Sequence, residues 1–254
     1  MKLFFREYGQ GGPPLVILHG LFGSSDNWLT QAKLFSTSYK VYVVDQRNHG
    51  LSPQSDAFDY PVMVSDLAEF LDDHKIIDPV LIGHSMGGKT VMNFSLTYPE
   101  KLEKLIVVDI SPRAYNLEHY TIVEGLKAIP INTLASRKEA DEILSRYVPE
   151  VDTRQFLLKN LQRKPNGGFS WKINLPVISE KLNNIGLDLQ VKGTFEKPTL
   201  FIRGARSKYV LDSDWDRITK VFPMAQLETL ETGHWVQAEK PQEFVDVTTR
   251  WLNA

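Results

Sequence analysis

The chain has 254 residues, 42% of them apolar, which is enough to bury one large α/β core carrying an insertion. A net charge of −2 gives no electrostatic case for nucleic acid or an anionic membrane as partner, and the lack of cysteine excludes disulfides, thiolate catalysis and cysteine-ligated metals. No apolar run reaches the roughly 18–20 residues of a membrane span, and Met1-Lys2-Leu3-Phe4-Phe5-Arg6-Glu7 is charged too early for a secretory signal, so a cytoplasmic location is expected.

The first strong element is Pro14 to Gly20, a continuous apolar run closed by glycine, as expected for a strand buried on both faces. Tyr39 to Val44 repeats the pattern and ends at Asp45. A helical stretch includes Asp66 to Leu71. Val80 to Ile82 is the third buried strand, and the helix that follows covers Thr90 to Thr97. Leu105 to Val108 is the fourth strand, ending at Asp109. Thr199 to Ile202 is the fifth, ending at Arg203-Gly204, and Ala225 to Leu230 the sixth, ahead of Gly233-His234. Glu243 to Leu252 closes the chain as a helix. Strands alternating with helices predict a mostly parallel sheet covered on both faces, with the ligand site beyond the carboxyl ends of the strands.

Residues 112–195 interrupt this alternation. Helical patterns run over Leu117 to Ala128, Arg137 to Tyr147 and Thr153 to Leu161. A turn follows at Pro165-Asn166-Gly167-Gly168, then another helix-like run after Pro176. This stretch carries 12 Lys and Arg against 9 Asp and Glu, whereas the whole chain is acidic. The expectation is a helical lid, residues 112–195, over a core made of 1–111 and 196–254; an ordinary helical subdomain without a gating role is the plainer alternative.

The chemistry concentrates at Gly83-His84-Ser85-Met86-Gly87, where a buried strand turns sharply into a helix with serine at the apex. A serine there exposes its hydroxyl only if its neighbours lack bulk, and the helix start aims free N–H groups and the positive dipole end at the same point. A serine hydroxyl needs an adjacent base. His234 ends a predicted strand and opens a loop before the last helix, which makes it the candidate. His84 adjoins the serine, but neighbouring side chains on a strand point to opposite faces. His19 reads as a loop organiser. A carboxylate must orient the imidazole, and Asp45, Asp109, Asp212 and Asp214 all stand at strand ends. The oxyanion needs two N–H donors: Met86 at the helix start, and Leu21 or Phe22 after the first buried strand. Phe22, Trp28, Trp171 and Trp235 are candidate walls of a substrate pocket, although core packing explains such residues equally well. Arg47 reads as a structural anchor. Arg113 and Lys172 could attract an anionic substrate such as an acyl-CoA, with solvated surface charge the commoner role. No metal-ligand spacing is present, and neither a metal nor a cofactor is expected.

Taken together, His19-Gly20-Leu21-Phe22-Gly23-Ser24, Asp45-Gln46-Arg47-Asn48-His49-Gly50-Leu51-Ser52, Gly83-His84-Ser85-Met86-Gly87-Gly88 and Gly233-His234-Trp235 resemble the α/β hydrolases over essentially the whole chain. Val108-Asp109-Ile110-Ser111-Pro112 and Ser207-Lys208-Tyr209-Val210 resemble the bacterial YbfF-type esterases in particular. The resemblance implies the α/β-hydrolase fold with a helical cap after the sixth strand. It implies a serine hydrolase of carboxylic esters or acyl thioesters with catalytic Ser85, His234 and Asp109, and it favours Leu21 beside Met86 in the oxyanion hole. The chain departs from the wider family at Ser207, which occupies the usual position of the acid; hence the assignment to Asp109, with Asp212 and Asp214 as alternatives. Phe22, Trp235 and Trp171 are then the expected substrate contacts. The substrate is expected to be a small-molecule acyl ester or thioester, and the protein a monomer or weak homo-oligomer. Hydrolysis of a C–C bond on the same fold is the alternative activity.

Overall fold

The structure, a computed structural model, describes residues 1–116 and 119–254. Five strands come first: β1 (Phe5–Tyr8), β2 (Pro14–Leu18), β3 (Lys40–Val44), β4 (Val80–His84) and β5 (Lys104–Val108). Between them lie α1 (Leu29–Phe35), α2 (Tyr60–Asp73) and α3 (Met86–Thr97). An insertion follows β5. It holds α4 (Tyr120–Ala128), α5 (Arg137–Leu144), α6 (Val151–Leu158), β6 (Leu161–Arg163), β7 (Phe169–Trp171), α7 (Leu175–Glu180) and α8 (Leu182–Ile185). The chain returns through β8 (Thr199–Gly204), α9 (Trp215–Val221), β9 (Ala225–Leu230), α10 (Val236–Glu239) and α11 (Pro241–Leu252).

The main sheet has seven strands in the order β1-β3-β2-β4-β5-β8-β9, with β1 antiparallel and the others parallel. Alternate side chains of the central strands feed two cores. Val16, Leu18, Leu81, Leu105, Val107 and Phe201 pack with residues of α2, α3 and α9. Leu15, Ile17, Val80, Ile82, Ile106 and Val108 pack with residues of α1 and α11. Burial on both faces is why these strands read as unbroken apolar runs rather than as alternating ones. Each fully buried aliphatic side chain contributes about 1.5–3 kcal/mol.

The register fixes the site. Leu18 pairs with Val44 and Gly83, His84 with Val108, and Val108 with Ile202, so the carboxyl ends lie along one rim. His19, Asp45, Ser85 and Asp109 are the residues that leave that rim.

Several details differ from the sequence reading. The edge strand β1 was not expected, because a four-residue, half-exposed segment carries too little apolar signal. The insertion follows the fifth strand of this chain in order, whereas the resemblance implied a sixth. The turn at Pro165 to Gly168 closes a small antiparallel hairpin, β6 with β7, whose three-residue strands are too short for periodicity to show. The helix expected from Leu117 is observed over Tyr120–Ala128; Leu117 itself lies outside the described residues. Helices α4 to α8 and the hairpin share an apolar cluster with Leu21, Phe22, Phe58, Tyr60, Met63 and Met86 of the sheet side. Phe195, the last residue of the expected lid, packs instead with the sheet core.

Candidate active site

Ser85 takes φ 54°, ψ −117°, a conformation that side chains other than glycine rarely adopt. Its N–H donates to the Val108 carbonyl at 3.0 Å, tying the apex to the neighbouring strand. The flanking glycines are required by contact. A Cβ on Gly83 would lie 2.3 Å from the Gly87 carbonyl oxygen, and one on Gly87 2.4 Å from that of Leu18. The serine is therefore held at the tip because the strand, the helix and the adjacent strand touch backbone to backbone around it. Phe22 and Asp109 also have left-handed backbones, with φ 61° and 49°. Such residues cost on the order of 1–3 kcal/mol each and persist where the surrounding structure over-determines them.

Asp109 is wholly buried. Its Oδ1 accepts the Gly204 N–H at 3.0 Å, and its Oδ2 lies 2.7 Å from His234 Nδ1. The Ser207 hydroxyl also donates to Oδ2. Ser207, at the position where the resemblance leads one to expect an acid, thus hydrogen-bonds the Asp109 carboxylate. The other acids are engaged elsewhere. Asp214 pairs with Arg113 at 2.9 Å and accepts the Leu211 N–H at 2.9 Å. Asp212 is highly exposed and pairs with Arg203 at 2.6 Å, and Asp45 accepts from the backbone of Ser25 and Leu51. Of these four carboxylates, Asp109 is the one in contact with His234.

Met86 opens α3, so its N–H has no partner within the helix and faces the turn that carries Ser85. Of the two candidates across the cleft, Phe22 commits its N–H to His49 Nε2 at 3.2 Å. His49 in turn contacts the Arg47 carbonyl through Nδ1 at 2.9 Å. His19 repeats the device: Nδ1 meets the Gly20 carbonyl at 2.8 Å and Nε2 accepts the Gln46 N–H at 2.9 Å. Both rings must be neutral to accept at Nε2. Burial pushes His19 down to about 4 and His49 to about 3, in the latter case with His19 adding repulsion. Arg47 makes a buried two-pronged ion pair with Asp66, at 2.6 and 2.8 Å.

His84 was misjudged from sequence. Its ring centroid lies 4.7 Å from that of His234, and its Nε2 is 2.9 Å from the His234 carbonyl oxygen. Burial, then repulsion from His234, hold it well below the ordinary histidine value. Strand alternation failed as a guide because His84 is the last strand residue and the chain turns immediately after it. His119, which the sequence reading left without a role, also lines the site. Burial lowers it to about 4, and its Nδ1 has no hydrogen-bond partner among the described residues.

Ser85 and His234 open into one cavity of about 680 Å³ with Leu21, Phe22 and Trp235 from the sheet side. Tyr120, Ile122, Tyr147, Val148, Phe156 and Leu157 close it from the insertion. A second cavity of about 620 Å³ shares Gly20, His84, Phe156 and Trp235, and extends past Trp28 to Arg206, Gln237 and Glu239. The rings of Phe156 and Trp235 stand 5.4 Å apart between the two. Of the expected contacts, Phe22 and Trp235 line the first cavity. Trp171 does not: it lies in β7, paired with Leu161, and packs against the apolar cluster of the insertion. Spacing in sequence could not show this, since the pairing of β6 with β7 places Trp171 within the insertion's own cluster. Lys172 pairs with Asp26 at 3.2 Å and Arg113 with Asp214, so neither cation faces the cavity. Among the described residues no group of three or more His, Asp or Glu is placed to hold a metal ion, and no helix is long and apolar enough to cross a membrane.

Residues 13–241 match the family model of the alpha/beta hydrolase fold, and the chain belongs to that family. It is 41% identical over 255 residues to a sn-1-specific diacylglycerol lipase, ABHD11, of Xenopus laevis, covering 96% of this chain and 80% of that one. It is 35% identical to esterase YbfF of Escherichia coli over the full length of both chains. Among solved structures, a marine microorganism esterase superposes with a TM-score of 0.96 at 41% identity, covering 98% of this chain and 99% of the other. The protein is thus an α/β hydrolase whose similar proteins are named esterases and lipases.

Proposed function

We propose that the protein hydrolyses carboxylic esters, or acyl thioesters, through an acyl-enzyme formed on Ser85. The observation that carries this reading is a strained, cavity-facing serine sharing its cavity with a histidine whose far nitrogen sits 2.7 Å from a fully buried aspartate. The Ser85 oxygen bonds to the acyl carbon while its proton passes to His234 Nε2. Asp109 holds Nδ1 and so fixes the tautomer. The developing oxyanion is met by the N–H groups of Met86 and Leu21, donors worth about 3–4 kcal/mol each in comparable sites. The proton then moves from His234 to the departing alkoxide or thiolate. Water, deprotonated by the same imidazole, then bonds to the acyl carbon; the bond to Ser85 Oγ breaks, the proton returns from His234 to Oγ, and the acid leaves.

Residues 112–195 act in this reading as a cap whose apolar walls, Ile122, Val148, Phe156 and Leu157, receive the acyl chain, while the second cavity receives the leaving group. The diacylglycerol lipase names among the similar proteins make acylglycerols the first esters to assay, beside p-nitrophenyl and CoA esters of graded acyl length. The deciding experiment is labelling with a fluorophosphonate. Wild type should be labelled at Ser85 and lose ester turnover, and Ser85→Ala should show neither labelling nor turnover while keeping its circular dichroism spectrum. Ester turnover retained by Ser85→Ala would refute the mechanism.

A further inference from the structure

Among the described residues three rings contact the imidazole of His234, those of Tyr209, His84 and Trp235, and that of Tyr209 is the nearest and the least inclined to it. Tyr209 stacks with ring centroids 4.1 Å apart and planes inclined by 25°, whereas the His84 ring is tilted by 41°. Tyr209 sits on a loop that also holds the carboxylate partner of His234. Its N–H donates to Ser207 Oγ at 3.2 Å, and the Ser207 hydroxyl donates to Asp109 Oδ2.

The loop is fastened at both levels to the residues that leave β5 directly after Asp109. The Tyr115 hydroxyl donates to the Tyr209 carbonyl oxygen and itself accepts the Ser111 N–H at 2.8 Å. Arg113 donates to the Lys208 carbonyl oxygen at 3.0 Å, and its guanidinium lies 4.1 Å over the Tyr115 ring. The Tyr209 backbone, the Ser207 hydroxyl and the Asp109 carboxylate are therefore joined in one chain of hydrogen bonds.

We infer that Tyr209 is a positioning residue for the reaction proposed above: its ring keeps the His234 imidazole in the plane that holds Nδ1 on Asp109, and its π face favours the imidazolium. The inference rests on the Ser85 reading of the site. The charge it addresses appears when the Ser85 proton moves to Nε2 as Oγ bonds the acyl carbon, and disappears when that proton leaves with the alkoxide. A cation over an aromatic face is attracted by the ring quadrupole, and an offset stack restrains rotation about the histidine side chain. Nothing in this role needs the phenolic oxygen, so phenylalanine should serve.

The test combines kinetics with a spectroscopic signature. Tyr209→Leu should lower kcat on a p-nitrophenyl ester at least tenfold with KM within about twofold of wild type, and Tyr209→Phe should recover most of the loss. Tyr209→Met, of similar bulk, should behave as Tyr209→Leu does and serves if the leucine variant fails to fold. In the catalytically silent Ser85→Ala background, the His234 ring protons should resonate upfield from the ring current of Tyr209. They should move downfield in Tyr209→Leu and stay in Tyr209→Phe. Full kcat in both the leucine and methionine variants, a loss confined to KM, a phenylalanine variant as impaired as the leucine one, or His234 resonances unmoved by the leucine change would each overturn the inference. The resonance readout needs no turnover, so a failure of the Ser85 mechanism itself would show separately, as ester turnover surviving in Ser85→Ala.

Discussion

The two walls of the cavity are built by different means. The sheet wall is polar and strained: Phe22, Ser85 and Asp109 have left-handed backbones, and His19, His49, His84 and Asp109 are buried with directed hydrogen bonds. The insertion wall sets apolar side chains such as Ile122, Val148, Phe156 and Leu157 beside the polar His119, Thr121, Glu150 and Thr153, and meets the sheet through a few polar anchors. Asn160 donates to the Phe22 carbonyl at 2.8 Å, the Tyr60 hydroxyl to that of Ile185 at 2.7 Å, and Lys89 to three carbonyls, of Pro112, Arg113 and Leu187, at 2.8, 2.6 and 2.9 Å. Directed hydrogen bonds fix angles, which chemistry at Ser85 needs. Apolar contact fixes only volume, which is what recognition of an acyl chain needs. On the proposed function, reaction type and chain-length choice belong to these two separate walls and should respond to separate mutations.

The largest effect should come from the sheet wall. Asp109→Asn keeps the shape but offers Nδ1 the wrong partner, and kcat should fall by about 10⁴ with KM little changed. If Asp212→Asn produced that loss and Asp109→Asn did not, the polar wall would have been misread. Next is the joint between the walls. Lys89→Met leaves three carbonyls, one buried and two partly buried, without their donor and should destabilise the fold by about 3 kcal/mol, seen in urea unfolding and as faster proteolysis between residues 112 and 187.

Acid should loosen the sheet wall in particular. His19 and His49 stay neutral in the folded state down to about 4 and 3, whereas an unfolded histidine takes up a proton near pH 6.5. Between those limits the unfolded chain binds more protons, so stability is complete above about pH 6.5 and is lost as pH falls toward 4. Each ring contributes on the order of 2–3 kcal/mol to that loss, and Tm should drop by at least about 5 °C from pH 7 to 4.5. A Tm constant over that range would show that the rings are not held neutral. The smallest effect belongs to the insertion wall. Phe156→Ala removes one side of the ring pair between the cavities and should shift the preferred p-nitrophenyl acyl length by a few carbons; an unaltered chain-length profile would mean that the chain does not lie against α6.

Much was legible before any coordinates. The buried strands announced themselves because a strand covered on both faces has no polar face to interrupt it, and the serine turn because strand, glycine, apex and helix follow one another within a few residues. Both signals are local. The edge strand β1 and the β6–β7 hairpin were too short to give one, and Trp171 was assigned to the cavity on residue type alone. What the tertiary structure decided lies across the sheet. Asp109 rather than Asp212 or Asp214 meets His234, and His84 and Tyr209 press on the same ring, because β4, β5, β8 and β9 lie side by side with their carboxyl ends in register. Residues more than a hundred positions apart become neighbours only through that pairing, and the pairing is a property of the whole packed sheet rather than of any one stretch of chain.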